Sequence, residues 1–134
     1  MDKIDHIGIA VKSLAEALPV WTALLGINAD GAEEVPSEQV RVAFFGSDAG
    51  RIELLEATGP ESPIARFIDR HGPGMHHICL RVADLEVALA RARRSGLEPI
   101  PPGIRQGAGR HRVAFLHPRD TGGVLVELAE TTSE

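Results

Sequence analysis

The chain repeats itself, and the repeat limits what it can fold into. His6-Ile7-Gly8-Ile9-Ala10-Val11 reads like His77-Ile78-Cys79-Leu80-Arg81-Val82, 71 residues later. Leu14, Ala17 and Leu18 meet Leu85, Ala88 and Leu89 at the same spacing, and Arg41-Val42-Ala43-Phe44-Phe45 meets Arg112-Val113-Ala114-Phe115-Leu116. Ile52-Glu53-Leu54-Leu55-Glu56 then meets Val126-Glu127-Leu128-Ala129-Glu130 at 74, so three additional residues fall in the loop from His117 to Gly123. Matches that keep one order along both halves signal a duplicated supersecondary unit. The halves, about 1–58 and 75–131, are each too short to carry a separate core. The 134 residues are therefore expected to form a single domain.

Alternating β-favouring residues predict a strand over 4–11. Ser13 is placed to cap a helix that runs to about Leu25 and stops at Gly26. Pro19 inside that helix is expected to kink it or delay its start. Residues 39–45 and 51–55 read as an antiparallel pair, and 63–70 as a short helix. The second half repeats the order: a strand over 77–82, a helix over 84–94 ended by Gly96, and strands over 112–116 and 124–128. A further short strand is expected near 27–32 and near 97–99. The sum is two tandem βαβββ modules, an α+β domain with eight mainly antiparallel strands.

The repeat also pairs residues that carry chemistry. Equivalent positions place His6 with His77 and Glu53 with Glu127. Glu53 and Glu127 both sit in otherwise apolar strand runs, where a carboxylate is costly unless paired or bound to a metal. Two imidazoles and two carboxylates are a sound ligand set for a divalent cation and leave octahedral positions open. Taken singly, a histidine at a strand start or a glutamate in a strand is more often structural. The joint match favours a metal site. His76 adjoins His77, but neighbours on a strand point to opposite faces, and the repeat selects His77. His71, His111 and His117 have no partner in the repeat.

Composition closes other routes. A net charge of −5 argues against general nucleic-acid binding. One cysteine, Cys79, excludes an intrachain disulfide and reads as a small core residue. No targeting or membrane-spanning segment is apparent, so a cytoplasmic protein without a membrane partner is expected. The densest basic patch is Arg105, Arg110, His111 and Arg112 beside a Gly-rich loop. It offers contacts for phosphates or is simply a solvated loop. Gly122 and Gly123 either let backbone N–H groups approach a ligand or serve a tight turn.

The paired modules with His, Glu, His and Glu in succession resemble the vicinal oxygen chelate superfamily. Within it the chain is similar to the methylmalonyl-CoA epimerase family through 5–11, 41–44, 52–56, Ser62-Pro63-Ile64-Ala65, 74–78, 115–118 and 122–128. The resemblance implies a half-open barrel, a homodimer, and one divalent metal ion (Co, Mn, Ni, Zn or Mg) on His6, Glu53, His77 and Glu127. It implies an acyl-CoA substrate whose α-proton is removed and returned through a metal-stabilised enolate. Glu53 and Glu127, on the two sides of a pseudo-two-fold axis, are the candidate proton carriers. Arg105, Arg110, Arg112, Gly122 and Gly123 are the candidate substrate contacts. Some relatives carry Gln at position 53, and an acid proposed as base stands where this chain has Val42. The nearest alternatives are a lactoylglutathione lyase and a non-catalytic ligand-sequestering member of the superfamily. The Ser62–Ala65 segment counts against the first and the four metal-type ligands against the second. An extradiol dioxygenase, with two His and one Glu on iron, fits less well.

Overall fold

A computed structural model describes residues 3–107 and 111–130. They divide into two compact units, residues 6–76 and residues 3–5 with 77–130. Each unit repeats one βαβββ order, as the sequence anticipates.

The N-terminal unit holds β1 (Ile4–Ala10) from His6 onward, α1 (Leu14–Leu25), β2 (Gly31–Val35), β3 (Val40–Phe45), β4 (Arg51–Ala57) and α2 (Pro63–His71). β1 runs parallel to β4, and β2, β3 and β4 form an antiparallel meander. The helix α1 starts where Ser13 Oγ accepts from the Glu16 N–H and stops at Gly26, whose φ of 73° suits a left-handed cap. Pro19 neither delays nor interrupts it. The proline costs the Ala15 carbonyl its helical partner, but both residues are exposed, so water replaces the lost bond. One face of this sheet is closed by α1 through Val11, Leu14, Ala43, Phe45 and Leu54. On the other, α2 covers Ala10, Val40, Val42 and Leu55 through Ile64, Phe67 and Ile68.

The C-terminal unit holds β5 (Gly74–Val82) from His77 onward, α3 (Leu85–Arg94), β6 (Arg105–Gln106), β7 (Arg112–Leu116) and β8 (Val126–Glu130). β5 runs parallel to β8, and β6, β7 and β8 are antiparallel. The helix α3 packs Leu85, Ala88 and Leu89 on Val82, Ala114, Leu116 and Leu128. Its N-terminus is held twice: Asp84 accepts from the Val87 N–H, and Glu130 from the Leu85 N–H. Arg112 binds Glu130 through Nε at 2.8 Å and Glu86 through Nη2 at 2.7 Å. That guanidinium, and secondarily the Leu85 N–H, pulls the Glu130 carboxyl down to about 2. Within this unit the Arg81 N–H donates to the Lys3 carbonyl, and Arg81 Nη2 meets the buried Asp5 at 2.7 Å.

Three boundaries differ from the sequence expectation. The second strand of the first half lies at 31–35 rather than 27–32, because Gly-Ala-Glu-Glu-Val is a half-exposed edge strand with little apolar signal. Its counterpart is the two-residue β6 at 105–106, while Pro99 makes only an isolated bridge to Leu116. β8 begins at Val126, not Val124, because the preceding loop is closed first by Thr121 Oγ1 donating to the Val124 carbonyl.

Candidate functional site

In the N-terminal unit the β1–β4 ladder sets Gly8 beside Glu53, and the β3–β4 ladder sets Phe44 opposite Glu53. Residues that face each other across a ladder share a face, as do residues two apart along a strand. His6 therefore shares the face of Glu53, and Gly8 adds no side chain at the intervening rung. His6 Nδ1 lies 3.3 Å from Glu53 Oε2, and both side chains are buried.

The C-terminal unit repeats this arrangement. Cys79 is beside Glu127 and Phe115 is opposite it. His77 Nε2 lies 3.0 Å from Glu127 Oε1, again with both side chains buried. The registers coincide once the offsets of 71 and 74 are applied, so each unit has one His–Glu dyad at the same place in its ladder. His76 instead meets Phe67 of α2 edge-on, with ring centres 4.9 Å apart.

A guanidinium also lies over the aromatic ring of each row. In the first unit this is Arg51 over Phe44, with Cζ 6.0 Å from the ring centre. In the second it is Arg105 over Phe115, at 5.2 Å. Gly31 leaves room for the first ring, since a Cβ there would stand 3.0 Å from Phe44 Cζ. The two arginines come from different strands, β4 and β6, so the duplication does not predict them. Sequence reasoning missed Arg51, because only the register shows it beside Glu53, with Nη2 3.5 Å from Oε2.

Each dyad offers one imidazole nitrogen and one carboxylate oxygen in surroundings nearly free of water. Such N,O donors suit divalent cations of the manganese-to-zinc series. A carboxylate buried this way is stabilised by a cation. The donor chemistry fits the divalent ion that the resemblance implies.

Residues 5–115 match the family model of the Glyoxalase/Bleomycin resistance protein/Dioxygenase superfamily. An ethylmalonyl-CoA/methylmalonyl-CoA epimerase of Cereibacter sphaeroides is 35% identical over 130 residues, 96% of this chain and 97% of that one. The human mitochondrial methylmalonyl-CoA epimerase is 34% identical over 97% of this chain and 74% of its own. The chain belongs to the methylmalonyl-CoA epimerase family of that superfamily. A Streptomyces coelicolor methylmalonyl-CoA epimerase variant, solved in complex with 2-nitronate-propionyl-CoA, superposes with a TM-score of 0.91 at 31% identity, covering 99% of both chains.

Against that family, the remaining candidates fall as follows. Arg110 lies outside the described residues. Arg112 spends its donors on Glu86 and Glu130, and His111 Nδ1 lies 3.2 Å from the Glu130 carbonyl oxygen. Gly122 and Gly123 both take positive φ, and the Gly123 N–H closes on the Pro118 carbonyl at 2.7 Å, which is turn geometry. Val42 is buried with Ala10, Leu55 and Ile64 on the face of Glu53, so apolar packing occupies the place where some epimerases have an acid.

Proposed function

We propose that the chain is a metal-dependent epimerase that interconverts (2R)- and (2S)-methylmalonyl-CoA. The observation that carries this reading is the buried His–Glu dyad repeated at one register in both units of a chain from this family. His6, Glu53, His77 and Glu127 would hold one divalent cation, with cobalt, manganese, nickel, zinc and magnesium as candidates. A cation there supplies positive charge beside the thioester oxygen, where negative charge develops as the α-proton leaves.

The chain's own residues do the proton work. Inverting the α-carbon requires a proton taken from one face and returned to the other. The repeat supplies two equivalent carboxylates for this, Glu53 and Glu127. Either could loosen from the cation and accept the α-proton on an Oε while the other returns a proton to the opposite side. The imidazoles of His6 and His77 orient them, since each has a ring nitrogen within 3.3 Å of its glutamate. Burial keeps bulk water from competing for the carbanion. Val42 provides no base, which leaves this task to the two glutamates. Arg105 and Arg110 remain candidate contacts for the CoA phosphates, which Arg112 could join only by releasing Glu86 or Glu130, and the Gly122–Gly123 turn remains a candidate substrate contact. The reading also carries a cytoplasmic homodimer, which light scattering of the purified protein tests for its oligomeric part.

The decisive measurement is proton NMR of each methylmalonyl-CoA epimer in deuterated buffer, with and without chelator. The expected result is chelator-sensitive loss of the α-proton signal with appearance of the other epimer. With Glu53→Gln and Glu127→Gln, washing-in of deuterium is expected to slow for opposite epimers. Normal exchange in both variants with metal still bound would refute the two-carboxylate mechanism. An inert wild type would refute the function.

A further inference from the structure

One histidine takes no part in the proton chemistry and still shares a face with the C-terminal dyad. That face carries Glu127, Phe115 opposite it and His77, whose ring centre lies 6.2 Å from that of Phe115. Residues two apart along a strand point to one side, so His117 continues the same face. Its backbone is still extended, with φ −69° and ψ 141°, and the intervening Leu116 packs on the opposite face beneath α3. One step past the Ile78–Val126 and Leu116–Val126 pairs, His77 and His117 flank Leu125, whose carbonyl accepts from the Ile78 N–H at 3.2 Å. The half-buried ring of His117 is held in place. Its Nδ1 accepts from the Arg119 N–H at 3.1 Å, and its carbonyl accepts from the Asp120 N–H at 2.9 Å. A backbone N–H can only donate, so Nδ1 is the unprotonated nitrogen and the neutral ring carries its proton on Nε2. That N–H makes no hydrogen bond to any described residue. The duplication does not explain the residue: at the offset of 71 its equivalent is Gly46.

We propose that His117 is a substrate-binding residue whose Nε2–H donates to the first amide carbonyl of the pantetheine arm of an acyl-CoA. This rests on the epimerase reading, in which His77 and Glu127 help hold the cation beside the thioester oxygen. Two strand spacings of about 4.8 Å put the Cα atoms of His77 and His117 about 10 Å apart. In the arm, the first amide follows the thioester sulfur after two methylene groups, so a thioester beside His77 extends along the face toward His117. A single neutral N–H suits a neutral carbonyl, whereas a phosphate calls for charged or bidentate donors. The ring is oriented before any ligand arrives, so little freedom is lost on binding. The arm of an acyl-CoA is unsymmetrical and needs this contact once, and Gly46 has no side chain to supply a second.

Two small thioesters of methylmalonate test the assignment. The N-acetylcysteamine thioester keeps the amide, and the S-butyl thioester lacks it. His117→Asn keeps an acceptor at the place of Nδ1, and with it the turn, but removes the Nε2–H. His117→Gln keeps an N–H at the place of Nε2 and removes the acceptor. Loss of the α-proton signal in deuterated buffer gives kcat/KM for each pair. Wild type is expected to favour the N-acetylcysteamine thioester. His117→Asn is expected to lower kcat/KM for it roughly 2- to 10-fold, the worth of one neutral hydrogen bond. The loss should fall on KM, with the S-butyl thioester affected far less and Tm unchanged. His117→Gln should retain more of the preference and have the lower Tm. A role confined to the turn predicts the reverse order, with His117→Asn like wild type and His117→Gln impaired toward both thioesters. That order overturns the assignment, as does a wild type without preference. The imidazole nitrogen NMR spectrum reads the contact without turnover. The His117 Nε2 signal, identified by its absence in His117→Asn, is expected to move with S-propionyl-N-acetylcysteamine and to stay with S-butyl thiopropionate. A protein that shows this shift but never exchanges the α-proton of methylmalonyl-CoA sinks the epimerase and leaves the contact. One that exchanges the proton with no such shift, and keeps its preference in His117→Asn, does the reverse.

Discussion

Replacing Ser62 by alanine isolates one buried hydrogen bond. Ser62 is fully buried at the start of α2, and its Oγ accepts from the Ile64 N–H at 3.1 Å. The substitution removes only that oxygen. The backbone bonds from the Ser62 N–H to the Gly59 carbonyl and from the Arg66 N–H to the Ser62 carbonyl stay. Ile64 is 3% exposed, so water cannot replace the lost acceptor. An ordinary N-cap is worth about 1 kcal/mol, and stranding a buried donor costs about 1–3 kcal/mol. These are overlapping accounts of one loss, so about 2 kcal/mol is expected. For a chain of this length that lowers Tm by about 7 °C. Ser13→Ala is the internal control. Ser13 also caps its helix through Oγ, which accepts from the N–H three residues on, that of the exposed Glu16, where water can substitute. Its cost should be about 0.5–1 kcal/mol, or about 2–4 °C. Thermal and urea unfolding followed by circular dichroism measure both. The reasoning is refuted if Ser62→Ala loses no more stability than Ser13→Ala.

Adding a divalent ion at about 100 times its Kd should stabilise the chelated protein by about 2.7 kcal/mol, a rise in Tm of about 10 °C. Glu53→Gln and Glu127→Gln should each reduce that rise, as read by scanning calorimetry. Glu130 has its folded pKa depressed to about 2 by Arg112, so its contribution to stability is present above the ordinary carboxylate range and is lost as pH falls through about 2. The Tm gap between wild type and Glu130→Gln should therefore narrow from about pH 5 to about pH 2, and a constant gap would contradict the pairing. Leu54→Ala, at a side chain with no exposure in the core beneath α1, should cost about 3 kcal/mol in urea titration.

The repeat made much of the architecture legible. The offsets read from short matches reappear as ladder registers, with Gly8 beside Glu53 and Cys79 beside Glu127. The pairing of each histidine with its glutamate follows from that register and from the two-residue period of a strand. Legibility ended where the signal is tertiary. β2 and β6 are edge strands, one polar and one only two residues long, so no hydrophobic period marks them. Pro19 was tolerated because the carbonyl it strands faces solvent. Arg51 carries no motif, and its meaning comes from a ring on β3 and a carboxylate further along its own strand. The basic cluster looked like a single patch in the sequence, yet Arg112 serves to tie β7 to β8 and α3.

The coverage of the aromatic rings bears on how a nucleotide tail could be held. The chain has four phenylalanines, no tyrosine and one tryptophan. Among the described residues, Arg51 and Arg105 lie over Phe44 and Phe115, Phe45 is buried, and Phe67 sits against His71 and His76. An adenine brought to the covered face of Phe44 or Phe115 would have to displace a guanidinium. The phosphates of an acyl-CoA tail are expected to make its affinity decline as ionic strength rises.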